Sequence, residues 1–329
     1  MSCGAPVLSF SQLNIFSAAI AAATFAASVA AASTGIPNWL QQHVGAGTGQ
    51  IAPIVLDRAR AHYLEKRQSG TVKNPCYFAM DATRPSTASN GAALPRFYVI
   101  CEETRTFKAV SSGYGNGRKL AKANFSNGRQ CARNFSNAEG SKLTAGGAYV
   151  TAESRTSFKG YYQKGSRKKP FLRTFLLFDG EGETDNARER AIGGHRAMFM
   201  RWQCRMEKPQ SKHADADGFV PFGKLVDYTS GRSNGCTTWS EPATKDILKI
   251  ADSNPTTLYI YPASQDINAV AKAVKRGTSL KRAGLYWNDA CLAAIGTPKF
   301  WPKRTLQPII NEWRNSLPKS QPLDLPLCD

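Results

Sequence analysis

The chain has 329 residues, of which 42% are hydrophobic, with 27 Gly and 18 Pro spread along it. These values are those of a globular protein long enough to bury one large core or two. A net charge of +19 points to an anionic partner: nucleic acid, acidic lipid or a polyanionic polymer such as cell wall. Charge alone does not choose among these.

The first charged residue is Asp57. Ahead of it runs Leu13-Asn14-Ile15-Phe16 and then an Ala-rich apolar stretch ending Ala30-Ala31-Ala32-Ser33. The small residues at its end suit a signal peptidase, so residues 1–32 are expected to be a leader and the protein to be exported. No Lys or Arg precedes the apolar run, and its Ala content is weakly hydrophobic for a membrane helix. No later segment is long and apolar enough to span a bilayer. The cysteines are Cys3, Cys76, Cys101, Cys131, Cys204, Cys236, Cys291 and Cys328. Loss of Cys3 with a leader leaves an odd set, enough for three bridges and one free thiol. Connectivity stays open. The absence of C-x-x-C argues against a zinc ribbon or a thioredoxin-type pair.

Ile51 to Gln68 reads as a helix, with Pro53 in its first turn and Ile54, Val55, Ala59, Tyr63 and Leu64 at helical spacing. From Tyr77 to about Phe199 the pattern becomes short β-like runs, including Arg96 to Cys101, Thr106 to Val110, Ala148 to Thr151 and Arg173 to Phe178. Asn116-Gly117, Asn127-Gly128 and Gly146-Gly147 are turn dipeptides between them. This spacing predicts a predominantly antiparallel sheet or barrel. From Ser240 the chain turns helical: a helix through Lys249 capped by Ser240, a strand at Thr257 to Tyr261, then helices over Asp266 to Arg276 and Thr305 to Leu317. The last carries Leu306, Ile309, Ile310 and Trp313 on one face. Pro318 to Asp329 reads as an extended, Pro-rich tail.

Chemistry concentrates at Gly231-Arg232-Ser233-Asn234-Gly235-Cys236. A free Cys is commonly a small buried hydrophobe, but these neighbours suit a nucleophile. Gly235 permits close backbone approach, and the N–H groups of Gly235 and Cys236 can hold an oxyanion. Arg232 favours thiolate over thiol, and can grip a substrate carboxylate. Ser233 can hydrogen-bond to substrate or within the motif. The same segment matches the G-x-S-x-G elbow of serine hydrolases, but that fold needs its His after the Ser, and His43, His62, His195 and His213 all come before Ser233. A papain-like order, Cys before His, fails for the same reason. What remains is a His ahead of the Cys on a β-rich scaffold, with His195 on a strand-like run one candidate and His213 read as a solvated loop residue. A zinc set of His195, Cys204, His213 and Cys236 fits no standard spacing, so no metal and no cofactor is called for.

The ordered blocks resemble the murein L,D-transpeptidases, in the branch with a YkuD-like catalytic domain. In that branch a stretch like Asp185-Asn186-Ala187-Arg188-Glu189-Arg190-Ala191-Ile192 leads into a catalytic His, and a G-R-S-x-G-C segment carries the nucleophile. Phe135-Ser136-Asn137-Ala138-Glu139-Gly140-Ser141, Gly147-Ala148-Tyr149-Val150 and Leu177-Phe178-Asp179-Gly180 look like further blocks of the family. The resemblance covers about Ile51 to Pro262. It implies an α+β, predominantly β fold: a YkuD-like antiparallel sandwich or barrel over residues 51–262, an N-terminal helix, and a helical extension over 263–329. It also implies a Cys236 thioester with a tetrapeptide stem, release of D-Ala, and transfer to an amine that forms a 3→3 cross-link. Water as acceptor would make the site an L,D-carboxypeptidase, and a decayed site would leave a wall-binding protein. Peptidoglycan stem peptides are the expected partners. The basic runs Lys164 to Lys169 and Lys272 to Arg282 can dock an anionic wall polymer. No nucleic-acid motif stands out. Three features depart from the family. Arg196 follows His195 where Gly is usual, the His-to-Cys gap is lengthened around Gln203 to Gly218, and a helical region follows Pro262.

Overall fold

The computed structural model describes residues 35–229, 231–318 and 325–329. The expected leader at 1–32 lies outside them. Ser33–Asp329 forms one compact unit. Its helices are α1 (Asn38–Gln41), α2 (Pro53–Gln68), α3 (Glu241–Ala251), α4 (Ser264–Lys275), α5 (Asp289–Ile295) and α6 (Lys303–Ser316). The first strands are β1 (Cys76–Asp81), β2 (Pro95–Cys101), β3 (Thr106–Ser111), β4 (Asn134–Phe135), β5 (Gly147–Lys164) and β6 (Arg167–Gly180). After a short 3-10 turn at Gly182–Ala187 come β7 (Gly193–Arg196), β8 (Met198–Glu207), β9 (Phe219–Asp227), β10 (Thr237–Trp239), β11 (Thr257–Tyr261) and β12 (Lys299–Phe300).

Strand outweighs helix, and ten strands form one mixed sheet in the order β10-β7-β6-β5-β11-β1-β2-β3, with β9 pairing to both β5 and β8. Most neighbouring strands are antiparallel, as expected. The sheet is not wholly antiparallel, because β10 runs parallel to β7, β11 to β1, and β9 to β5. Nor does it close into a barrel. Gly113, just past β3, donates its N–H to Thr238 of β10 at 3.1 Å, so the two ends of the sheet meet at a point without a continuous ladder.

Alternation along the central strands explains why both faces are covered. Phe78 and Met80 of β1, Phe97 and Val99 of β2, and Leu258 and Ile260 of β11 share one core with Trp239, Ile247 of α3 and Val270 of α4. The intervening Tyr77, Ala79, Tyr98, Ile100, Tyr259 and Tyr261 form a second core against Val55, Leu56, Ala59 and Tyr63 of α2. Side chains on a strand point alternately to opposite faces, so a sheet with helices on both sides buries every position. β1 is buried along its whole length, as that arrangement requires.

The chain after Pro262 packs onto this body. Tyr286 donates its hydroxyl to buried Asp81 at 2.7 Å, and Leu306 and Ile310 of α6 pack on Phe125, Ala138 and Leu143. Three disulfides form: Cys76–Cys101 between β1 and β2, Cys131–Cys291 to α5, and Cys204–Cys328 between β8 and the C-terminus. The segment around Gln203 to Gly218 is no loose insertion. It forms the β8–β9 hairpin, which packs Met206 and Val220 against Tyr161 of β5. No helix among the described residues is long and apolar enough to cross a membrane. Disulfides and the absence of such a helix are compatible with an exported protein.

Candidate active site

Strand pairing brings Cys236 and His195 to one cleft. β10 lies parallel to β7, with Thr238 opposite His195 and Thr237 opposite Gly194. Cys236 lies in the bend that leads into β10, and it lines the same cleft as His195. The alternate positions, Gly194 and Trp239, face the core. There a Cβ on Gly194 would lie 1.9 Å from the Trp239 ring, so only glycine fits. On the next strand Phe175 pairs with His195 and stacks on its ring at 5.5 Å between centroids. The resulting cleft has a volume of about 740 Å³ and is lined by Cys236, His195, Arg173, Phe175, Phe199 and Tyr228 among others.

The loop that carries Cys236 is tied from several sides. Ser233 donates its N–H to the Tyr114 carbonyl at 2.7 Å, and its carbonyl accepts from Asn116 at 2.9 Å. The Ser233 hydroxyl donates to the Cys236 carbonyl at 2.5 Å and accepts from the Gly235 N–H at 3.1 Å. It is buried, and its proton and one lone pair are engaged within the turn, so the hydroxyl holds the loop rather than donating to a substrate. The same contact engages the Gly235 N–H. Among the described residues the Cys236 N–H makes no hydrogen bond in the loop and is the donor still free of the two expected for an oxyanion. Gly235 adopts φ +113°, a conformation open mainly to glycine, and a Cβ there would press on Leu143 O at 3.0 Å.

Cys236 is the one free cysteine among the described residues, partly exposed to the cleft. Its thiol points at the Ala191 carbonyl at 3.6 Å. Burial pushes the thiol pKa up, while the Gly193 backbone and the charges of Arg190 and Arg173 act in the opposite direction. His195 is buried, and its Nδ1 lies 2.8 Å from the Arg196 carbonyl. A carbonyl can only accept, so Nδ1 carries the proton and Nε2 keeps its lone pair. Burial lowers the imidazole pKa to about 4; the Arg196 hydrogen bond opposes this and Arg173 adds to it.

The blocks that carry the family resemblance meet behind this loop. Asn137 donates its side-chain amide to the Glu183 carbonyl at 2.9 Å, and Asn186 donates to the Asn137 carbonyl at 2.8 Å. Arg190 donates to the Leu143 carbonyl at 2.7 Å, and Arg188 bridges Glu153 and Asp179 at the surface. Comparison of the chain with family models, curated proteins and solved structures finds no match. The site is therefore read from its own geometry.

The other sequence candidates are placed less favourably. Arg232 lines the cleft but is exposed and donates Nη1 to the Asn127 carbonyl. His213 stacks flat on Phe158 at 4.2 Å in the β8–β9 region, so it does not line the cleft. With Cys204 in a disulfide and His213 on Phe158, the four-residue zinc set does not assemble. Arg196, the departure after His195, turns its side chain onto Glu241 at 2.7 Å. Only its carbonyl touches the imidazole, and a carbonyl is what any residue at that position supplies. Arg155, Arg173, Phe199 and Tyr228 line the cleft without having been flagged by sequence. Parity would have placed Arg173 with Phe175 on one face of β6, but only the sheet order shows that this face adjoins His195.

Proposed function

We propose that this protein is a cysteine acyltransferase acting on peptidoglycan stem peptides: an L,D-transpeptidase with a YkuD-like catalytic core, exported to the periplasm or cell wall. The observation that carries the reading is a free thiol and a tautomer-locked imidazole lining one cleft, Cys236 just ahead of β10 and His195 on its parallel neighbour β7. His195 Nε2 takes the Cys236 proton as sulfur attacks the carbonyl of the L-centre of the diamino acid. The Cys236 N–H stabilises the oxyanion, an effect on the order of 3 kcal/mol for one donor. The tetrahedral intermediate collapses to a thioester as the D-Ala amine leaves with the proton from His195. A second stem's amine then gives its proton to His195, attacks the thioester and expels the thiolate, which His195 reprotonates. If water takes the amine's place, the product is a shortened stem.

A carbapenem should add once to the intact protein by mass, and the Cys236→Ala variant should show no adduct. Incubation with tetrapeptide-rich sacculi should yield 3→3 dimers if the acceptor is an amine, and tripeptides with free D-Ala if it is water. Folded protein that forms no adduct and leaves the muropeptide profile unchanged would sink the enzymatic reading in favour of a wall-binding protein.

A further inference from the structure

Three arginines and no carboxylate line the cleft around Cys236. Two are engaged: Arg232 with the Asn127 carbonyl, and Arg155 with Glu153 at 2.8 Å. Arg173 is different. It forms no ion pair among the described residues, and its Nε is buried without a hydrogen-bond partner. A buried guanidinium donor left unpaired is costly, and a native fold retains one where a ligand or water completes it.

Its position gives that ligand an address. Arg173 precedes Phe175 by two residues on the same face of β6, and Phe175 stacks on His195. Two strand residues span roughly 7 Å, and an extended peptide advances at most about 3.6 Å per residue. A group adjoining the carbonyl under attack at Cys236 therefore falls within reach of a long guanidinium side chain. The charge of Arg173 also acts on both His195 and Cys236, which places it close to the pair.

We propose that Arg173 anchors a substrate carboxylate flanking the carbonyl attacked by Cys236, so that the cleft selects free-acid peptides over their carboxamides. The inference rests on the acyl-transfer reading above and adds the group that confers selectivity. Two carboxylates of a stem peptide have this chemistry: the C-terminal carboxylate of the leaving residue, and the free side-chain carboxylate of the diamino acid being acylated. Arginine holds either through paired charge-assisted hydrogen bonds.

The test compares three synthetic tetrapeptides: the free acid, the C-terminal amide and the side-chain amide. Wild-type protein should process one of the amides about 10- to 100-fold less efficiently in kcat/KM, mainly through KM, which identifies the carboxylate bound. In Arg173→Gln that preference should fall to near unity, and Arg173→Lys should restore part of it. A ratio taken within one variant is insensitive to partial loss of folded protein. Equal rates on all three peptides in wild type, or a preference that persists in Arg173→Gln, would overturn the role of Arg173 while leaving acyl transfer intact. If wild type turns over no peptide and is not acylated by a carbapenem, the acyl-transfer reading fails, and this proposal with it.

Discussion

Burial moves Cys236 and His195 in opposite directions: the thiol pKa rises and the imidazole pKa falls to about 4. At neutral pH the pair therefore rests uncharged, as thiol and imidazole, and the proton moves only as the attack develops. Because His195 is already neutral above about pH 4, the rate of carbapenem acylation should be flat from about pH 5 to 8 and rise only as the thiol ionises. An acid limb centred near the ordinary histidine value would show instead that the base is not the buried His195. The same shift bears on stability. Between its ordinary value of 6.5 and about 4, the unfolded chain binds a proton that folded His195 refuses, so stability is lost as pH falls through that window. At this scale the candidate thiol and imidazole were legible, since a thiol among small residues and a preceding His are both chemical types visible in the string. The orienting carbonyl of Arg196 was not, because a backbone group carries no sequence signal. Nor was the commitment of the Ser233 hydroxyl and the Gly235 N–H to each other.

Strand pairing brings two separate motifs to one cleft. The Gly193-Gly194-His195 run lies between β6 and β10, where Trp239 fills the space a side chain on Gly194 would need. Gly194→Ala should therefore push β7 away from β10 and cost about 1–3 kcal/mol, the range for overpacking a core. Urea unfolding with an unchanged midpoint would show that the two strands yield without penalty. The variant should also lose acylation out of proportion to its stability, because β7 carries His195, the proposed base. Helices α2, α3, α4 and α6 and strands β2, β3 and β11 lie close to where periodicity and caps predict them. The Ser240 cap is direct: its hydroxyl accepts from Ala243 at the start of α3. Periodicity missed the length of the β5–β6 hairpin and the existence of β8 and β9. The outer ends of β5 and β6 are mostly polar or basic, while β8 and β9 mix exposed apolar residues such as Phe199 and Trp202 with basic ones, so no regular alternation marks them as strands. Their order comes from ladder hydrogen bonds, to which any sequence can contribute.

Over the whole molecule, covalent ties hold the late chain to the early chain. Cys131–Cys291 closes a loop with a sequence separation of 160, and Cys204–Cys328 one of 124. In the chain-entropy account each such closure is worth about 4–5 kcal/mol, because it restricts the unfolded state. The paired replacement Cys204→Ser with Cys328→Ser should lower the melting temperature and loosen the C-terminal residues, while Cys236 remains available for acylation. An unchanged melting temperature would mean that the hairpin and tail are held by packing alone.

The sequence by itself determined the cysteine total, the order of His and Cys, the main helices and the excess of positive charge, since these depend on residue type and local spacing. It left three things to the tertiary structure. Which cysteines pair depends on how the strands assemble; so do the parallel ladders of the mixed sheet. The meeting of Arg173 with Cys236 and His195 depends on sheet order, because residues far apart in the chain become neighbours only when their strands pair.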